Sequence, residues 1–256
     1  MAFAGPNLRR ANTLLRLADL LDARPAGQAA AESLYYAALS ETRAAVGDSH
    51  PGTADAMSQL GLMLARHGRT ADGERIVRQA LELQRRIWGP SHTVVAGTLH
   101  QLALLRTVRG QIAEAEQLAH EALAIFEASL GTTHATYAGA LGFLGDVVAH
   151  RGALDSAEAL HRRAVAIRAA SVGPEHPLTA LSVVRLATVM TQQRRFPEAD
   201  SLYRWALGLL RHQTIDTHPD IRRIYAGLAM LYEAWGKRDS AAIYRQRAGS
   251  SDLRLR

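Results

Sequence analysis

Five histidines stand 42 residues apart: His50, His92, His134, His176 and His218. Imidazole serves both as a metal ligand and as a general base. The spacing argues against a shared ion. If these residues sit on neighbouring packed helices, they are about 8–10 Å apart, whereas a ligand nitrogen must lie about 2 Å from its metal. The column is expected instead to bond turn backbone between units. Three other chemical patterns are weaker still. His120-Glu121 begins like a zincin pair, but the second histidine would fall at 124, which is alanine. Gly139, Gly142 and Gly145 recur on a predicted helix with no strand before them, so they form no phosphate loop. Asp146 and His150 are one helical turn apart, an acid–base pair in type, but no third group completes a catalytic set. The expectation is a non-enzymatic chain with no catalytic residue, no metal and no cofactor.

The elements that must position these residues follow from composition and repeat. The 256 residues are 48% hydrophobic and rich in alanine and leucine, with 5% aromatics. Those two residues are strong helix formers. Cysteine is absent, which excludes disulfides, thiolate zinc sites and cysteine nucleophiles and fits a cytoplasmic location. The first residues, MAFAGPNLRRAN, lack the basic start and apolar stretch of a signal peptide. No apolar run reaches the length of a membrane span, so no membrane partner is expected. The net charge is +6, and the segment after Pro219 is rich in arginine.

The histidine period is shared by other columns. Gly47, Gly89, Gly131 and Gly173 precede the first four histidines by three residues. Leu60, Leu102, Leu144, Leu186 and Leu228 follow them by ten, each beside a small residue: Gly61, Ala103, Gly145, Ala187 and Ala229. Gly68, Gly110, Gly152 and Gly236 come next, then Ala80, Ala122, Ala164, Ala206 and Ala248. Each unit reads as two helices. After His134, Leu141, Leu144, Val147 and Val148 lie on one helical face, and Gly152 ends that helix. Ala157, Leu160, Ala164 and Val165 form the second face, ended at Gly173-Pro174. The units are placed at 8–49, 50–91, 92–133, 134–175, 176–217 and 218–249, a single array with a tail at 250–256. In the degenerate first unit the first helix is expected near Asn12–Ala23. Arg194 and Ile215 replace two of the turn glycines. At Arg194 either Pro197 reshapes the turn or the arginine accepts a strained backbone.

The runs at 89–126 and 173–210, with Gly-Pro-x-His, Leu-Ala, a turn, then Glu114-Ala115-Glu116 or Glu198-Ala199-Asp200 and Ala-Leu, resemble the 42-residue tetratricopeptide repeat of kinesin light chains. The resemblance implies an all-α fold, a right-handed superhelical solenoid of about six stacked antiparallel helix pairs. It implies a protein-interaction scaffold whose first helices line a concave groove. The paired asparagines typical of that family before the conserved leucine are absent here, where the columns read Ser58-Gln59, His100-Gln101, Gly142-Phe143, Val184-Arg185 and Ala226-Gly227.

Counting residues off the core stripe, the second unit offers Asp55, Ser58, Gln59, Leu62 and Arg66 to the groove. The third offers Gly97, His100, Gln101 and Leu104, and the fourth Gly139, Gly142, Phe143, Asp146 and His150. The fifth offers Arg185, Thr188 and Gln192. Gly97, Gly139 and Gly142 are expected to leave a shallow trough beside Phe143, Asp146 and His150. The expected partner is a protein or peptide segment rather than a small-molecule substrate. The basic charge raises nucleic acid as an alternative, but no stacking aromatics or regular polar code accompany it. A homo-oligomer is a third alternative, formed through an apolar C-terminal end around Ile224, Leu228, Leu231 and Tyr232.

Overall fold

A computed structural model describes residues 7–22, 24–212 and 218–249. Among the described residues there are twelve α-helices and no strand. They run α1 Leu8–Asp22, α2 Gln28–Val46, α3 Pro51–Arg66, α4 Thr70–Trp88, α5 Thr93–Val108 and α6 Ile112–Leu130, then α7 Ala135–His150, α8 Leu154–Val172, α9 Pro177–Gln192, α10 Phe196–Arg211, α11 Pro219–Ala234 and α12 Arg238–Gly249. Two compact bodies divide the chain at Ser129 and Leu130. In the first, each helix from α1 to α5 packs on the next, and α3 also touches α5. In the second the same holds from α7 to α12, with α9 also touching α7 and α11.

The histidine column starts helices. His50, His92, His134, His176 and His218 are N-caps, and each ring Nδ1 accepts from the backbone N–H two residues on, at 3.0–3.3 Å. This satisfies a donor that the first helical turn leaves unpaired. Because Nδ1 accepts, the ring proton sits on Nε2. The bond is local to one helix start, and Pro51, Pro177 and Pro219 follow directly, where a missing N–H costs nothing. Helix α1 begins at Leu8, earlier than the apolar pattern indicates, because Asn7 Oδ1 accepts from Arg10 N at 2.8 Å and caps it. Ala23 lies outside the described residues.

Helix ends fall at the glycines. Gly47, Gly68, Gly89, Gly110, Gly131, Gly152, Gly173 and Gly236 all have positive φ. Arg194 takes the same conformation, φ 63°, the one such non-glycine among the described residues. Both readings of that turn hold together: Pro197 lies in the first turn of α10 and Arg194 is left-handed. A left-handed L-residue costs roughly 1–2 kcal/mol, part of which glycine returns as chain entropy. Arg194→Gly is therefore expected to stabilise the protein by about 1 kcal/mol, read as a higher urea midpoint at unchanged slope. Ile215 lies outside the described residues.

Small residues set how closely the paired helices approach. A Cβ on Gly73 would stand 2.3 Å from the carbonyl oxygen of Gly61, and one on Gly61 would stand 2.8 Å from the oxygen of Gly73. Helices α3 and α4 thus cross backbone to backbone. In α7 the space at Gly145 admits the His161 ring, 2.9 Å from the position of the missing Cβ.

A second register appears beside the apolar one. Glu32, Glu74, Glu116, Glu158 and Asp200 are one repeat apart. Three of them receive an arginine from the turn of the next helix pair: Glu32 from Arg69 at 2.7 Å, Glu74 from Arg109 at 2.6 Å and Glu158 from Arg195 at 2.9 Å. Hydrogen bonds from the Gln193 amide and from the guanidinium groups of Arg162 and Arg195 outweigh burial, which raises it, and hold the Glu158 carboxyl down at about 2.

The expected apolar C-terminal edge is closed. Ile224, Leu228, Leu231 and Tyr232 are buried in one core with Tyr203, Leu207 and Ala241. Helix α12 covers α11, so those four residues offer no surface to a second copy.

Candidate functional site

In the first body five of the expected groove residues converge. Asp55, Ser58 and Gln59 of α3 and Gly97 and Gln101 of α5 line one cleft of about 250 Å³. Gln84 of α4 and Val94 and Thr98 of α5 complete it. Proline at the start of α3 and the two histidine caps fix where these helices begin, and three to four residues per turn bring the named side chains to one face. Nothing lies within 4 Å of where a Gly97 Cβ would be, so here the expected glycine opening exists.

The cleft is polar and partly unpaired. Ser58 is 5% and Gln84 2% exposed. The Ser58 hydroxyl, Gln84 Oε1 and Gln101 Oε1 are all buried without a hydrogen-bond partner. Asp55 lies at the exposed rim. Desolvation by the walls raises its carboxyl pKa, opposed by a hydrogen bond from the Gln84 amide and by His50.

Other expected residues lie elsewhere in the first body. Arg66 bonds Asp22 of α1 through Nε at 3.0 Å, and His67 Nε2 is 2.5 Å from the same carboxylate. Leu62 and His100 are half-buried, and Leu104 is exposed on α5.

In the second body the expected trough is filled. The Arg168 guanidinium lies 2.9 Å from where a Gly139 Cβ would be. Gly142 is closed in by Ala164, Arg185 and His161 at 3.8–3.9 Å. Phe143 is buried. Asp146 and His150 form no acid–base pair: His150 Nδ1 donates to the Asp146 backbone oxygen at 2.8 Å, while the Asp146 carboxylate pairs with Arg185. Thr188 Oγ1 bonds Val184 O at 3.0 Å and Tyr203 Oη at 2.8 Å, and Gln192 is exposed. Helical periodicity alone placed these glycines on an open face; the long Arg168 and His161 side chains of α8 take the space.

His161 is 1% exposed and neither ring nitrogen is hydrogen-bonded. Burial pushes its pKa down to about 4. Asp146 Oδ1 is 3.4 Å from Nε2, but that carboxylate is already matched by Arg185, so desolvation prevails. The neutral ring is thus favoured in the fold, and the unfolded chain takes up the proton first, near pH 6.5. Stability is complete above that value and falls as pH drops toward 4. Between pH 7.5 and 5 the expected loss is about 2 kcal/mol, by urea unfolding, and His161→Phe should flatten that part of the profile.

Sequence reasoning missed Gln84 and His161. In the 42-residue register Gln84 stands with Thr42, Phe126, Arg168 and Leu210. That column mixes polar and apolar residues, so it carries no signal that singles out Gln84. Among the described residues no group of three or more histidine or carboxylate side chains is placed to hold a metal ion. None of the helices is long and apolar enough to cross a membrane.

Helix pairs of this length, capped by histidine and closed by glycine, define a helical-repeat protein. The tetratricopeptide repeat family matches residues 53–93, 94–170 and 136–212, together more than half of the chain, which belongs to that family. No curated protein sequence matches it. Among solved structures it is similar to a Podosopora anserina kinesin-light-chain protein with nearly identical TPR-like repeats, at 20% identity and TM-score 0.65, covering 80% of this chain and 97% of that one. BtubC (BKLC) from P. vanneervenii is 17% identical with TM-score 0.62, covering 97% and 94%. The apo form of RapI is 14% identical with TM-score 0.70, covering 94% and 82%. At these identities the likeness is one of fold.

Proposed function

We propose that the protein is a non-enzymatic scaffold that binds a segment of a partner protein across the first helices of its repeats. The single observation carrying this reading is the cleft on α3, α4 and α5, where Asp55, Ser58, Gln59, Gly97 and Gln101 meet at an open glycine. Buried polar atoms left without partners cost free energy that a ligand can recover. The repeat family supports a role in protein interaction in general. Affinity then comes from a few preorganised side chains on rigid helices rather than from rearrangement.

Peptide display provides the test. Random peptides selected on the wild-type protein should lose binding to Gly97→Arg, whose side chain projects into open space and leaves the core untouched. Circular dichroism and melting temperature must match wild type. Selected peptides that bind the variant equally well would place the binding surface elsewhere and sink the reading.

A further inference from the structure

The chemistry of the α3–α4–α5 cleft says what it would hold. Its unpaired groups are acceptors: Gln84 Oε1, Gln101 Oε1 and the Ser58 hydroxyl, which can also donate. The Gln84 NH2 is already used on Asp55, which supplies a negative charge at the rim. A carboxylate or phosphate entering here would be repelled by the Asp55 charge and would leave the Gln84 and Gln101 oxygens unpaired. A group made only of donors, with positive charge, would be matched at each point. The cleft of about 250 Å³ is smaller than the roughly 300–1,000 Å³ of a drug-sized ligand site and suits one side chain.

The same chain shows such a group in the equivalent place. Two repeats on, the position of Gln84 is Arg168, Asp55 becomes Gly139, and Val94 and Thr98 become Leu178 and Ser182. There the Arg168 guanidinium lies 2.9 Å from where a Gly139 Cβ would be and donates through Nη1 to Leu178 O at 2.9 Å and Ser182 Oγ at 2.8 Å. The second body thus fills this slot with its own arginine. In the first body Gln84 is shorter than arginine, and Asp55, whose side chain takes part of the space that Gly139 leaves to Arg168, adds a countercharge beside the open Gly97.

We infer that the cleft of the first body is a receptor for one arginine side chain of a partner protein, its guanidinium held between Asp55, Ser58, Gln84 and Gln101. This rests on the scaffold reading and adds the chemistry of the partner: a segment presenting an exposed arginine. A planar guanidinium carries five N–H donors and no acceptor, which fits this set better than an ammonium, a point charge.

The test titrates the isotope-labelled protein with Nα-acetylargininamide while following the Gln84 and Gln101 side-chain amide signals by NMR. Nα-acetylcitrullinamide, of the same shape without charge, and Nα-acetylglutamate amide are the comparators. The expected result is a saturable shift of both glutamine signals by the arginine compound, at least tenfold weaker for citrulline and absent for glutamate. Asp55→Asn should weaken arginine binding about tenfold, as expected for loss of one charged hydrogen bond. No shift at the cleft, or equal shifts with arginine and citrulline, would overturn the inference. The citrulline comparison is made on wild type, so it decides even if the variant is destabilised. Display peptides that depend on Gly97 but carry no arginine would end this inference while leaving the scaffold reading intact.

Discussion

Glu74→Ala is expected to destabilise the protein by about 3 kcal/mol. The Glu74 carboxylate is buried, 5% exposed, and holds Arg106 at 2.6 Å, Arg109 at 2.6 Å and Arg78 at 2.8 Å. Burial alone would raise its pKa, yet hydrogen bonds from Arg109 and Arg78 and the charge of Arg106 outweigh that and lower it. Removing the carboxylate strands Arg106, which is 8% exposed. Breaking a buried pair from one side costs about 3–5 kcal/mol because the remaining charge stays desolvated. The lower end applies because Arg106 Nη1 keeps Gln111 at 2.5 Å and Glu114 at 3.2 Å. Adding Arg106→Leu should restore a good part of the loss, since no charge then remains buried. A urea midpoint of the double variant below that of the single one would show that the packing of Arg106, not its charge, carries the effect. The sign with pH follows from the lowered pKa. This contribution is present above the unfolded carboxylate range and is lost as pH falls below it.

The second large effect reverses a familiar rule. Glycine to alanine inside a helix ordinarily stabilises by about 0.5–1 kcal/mol. At Gly97, with open space around the missing Cβ, that gain is expected in full. At Gly73 the new Cβ would meet the Gly61 carbonyl at 2.3 Å, a backbone atom that cannot rotate away. Gly73→Ala is therefore expected to cost about 2–3 kcal/mol, the overpacking penalty exceeding the propensity gain. Thermal melts of the two variants should move in opposite directions. A melt of Gly73→Ala at or above wild type would mean that α3 and α4 separate at little cost.

These two glycines show what the sequence made legible. The 42-residue columns of His, Leu-small and Gly gave the helix pairs and the helix stops, because capping and close packing are decided by residue type at fixed spacing. They did not distinguish Gly73, locked against backbone, from Gly97, open to a cleft, since that depends on which part of a neighbouring helix comes to face each glycine. The same holds for Gly139 and Gly142, expected to be open and found closed by Arg168, Arg185 and His161. Asp55, Ser58 and Gln59 of α3 and Gly97 and Gln101 of α5 converge because helical phase alone sets their direction. At Gly139 and Gly142 of α7 the long side chains of α8 reach across, which helical phase does not show. The arginine partners of the acidic column also escaped notice: Glu74 and Arg109 are 35 residues apart, a spacing that coincides with no single repeat.

The left-handed Arg194 reaches beyond stability, to protease access. The Arg194–Arg195 bond sits at an exposed turn and has the chemistry trypsin selects. A protease must bind its substrate extended, however, and here Arg194 N is tied to Thr191 O at 3.0 Å and Arg195 N to Met190 O at 2.9 Å. Cutting requires the end of α9 to unwind first, so the rate of cleavage at this bond is a clock for local opening of one helix end. A glycine at 194 would close that clock twice over, by removing the scissile arginine and by steadying the turn that hides its neighbour.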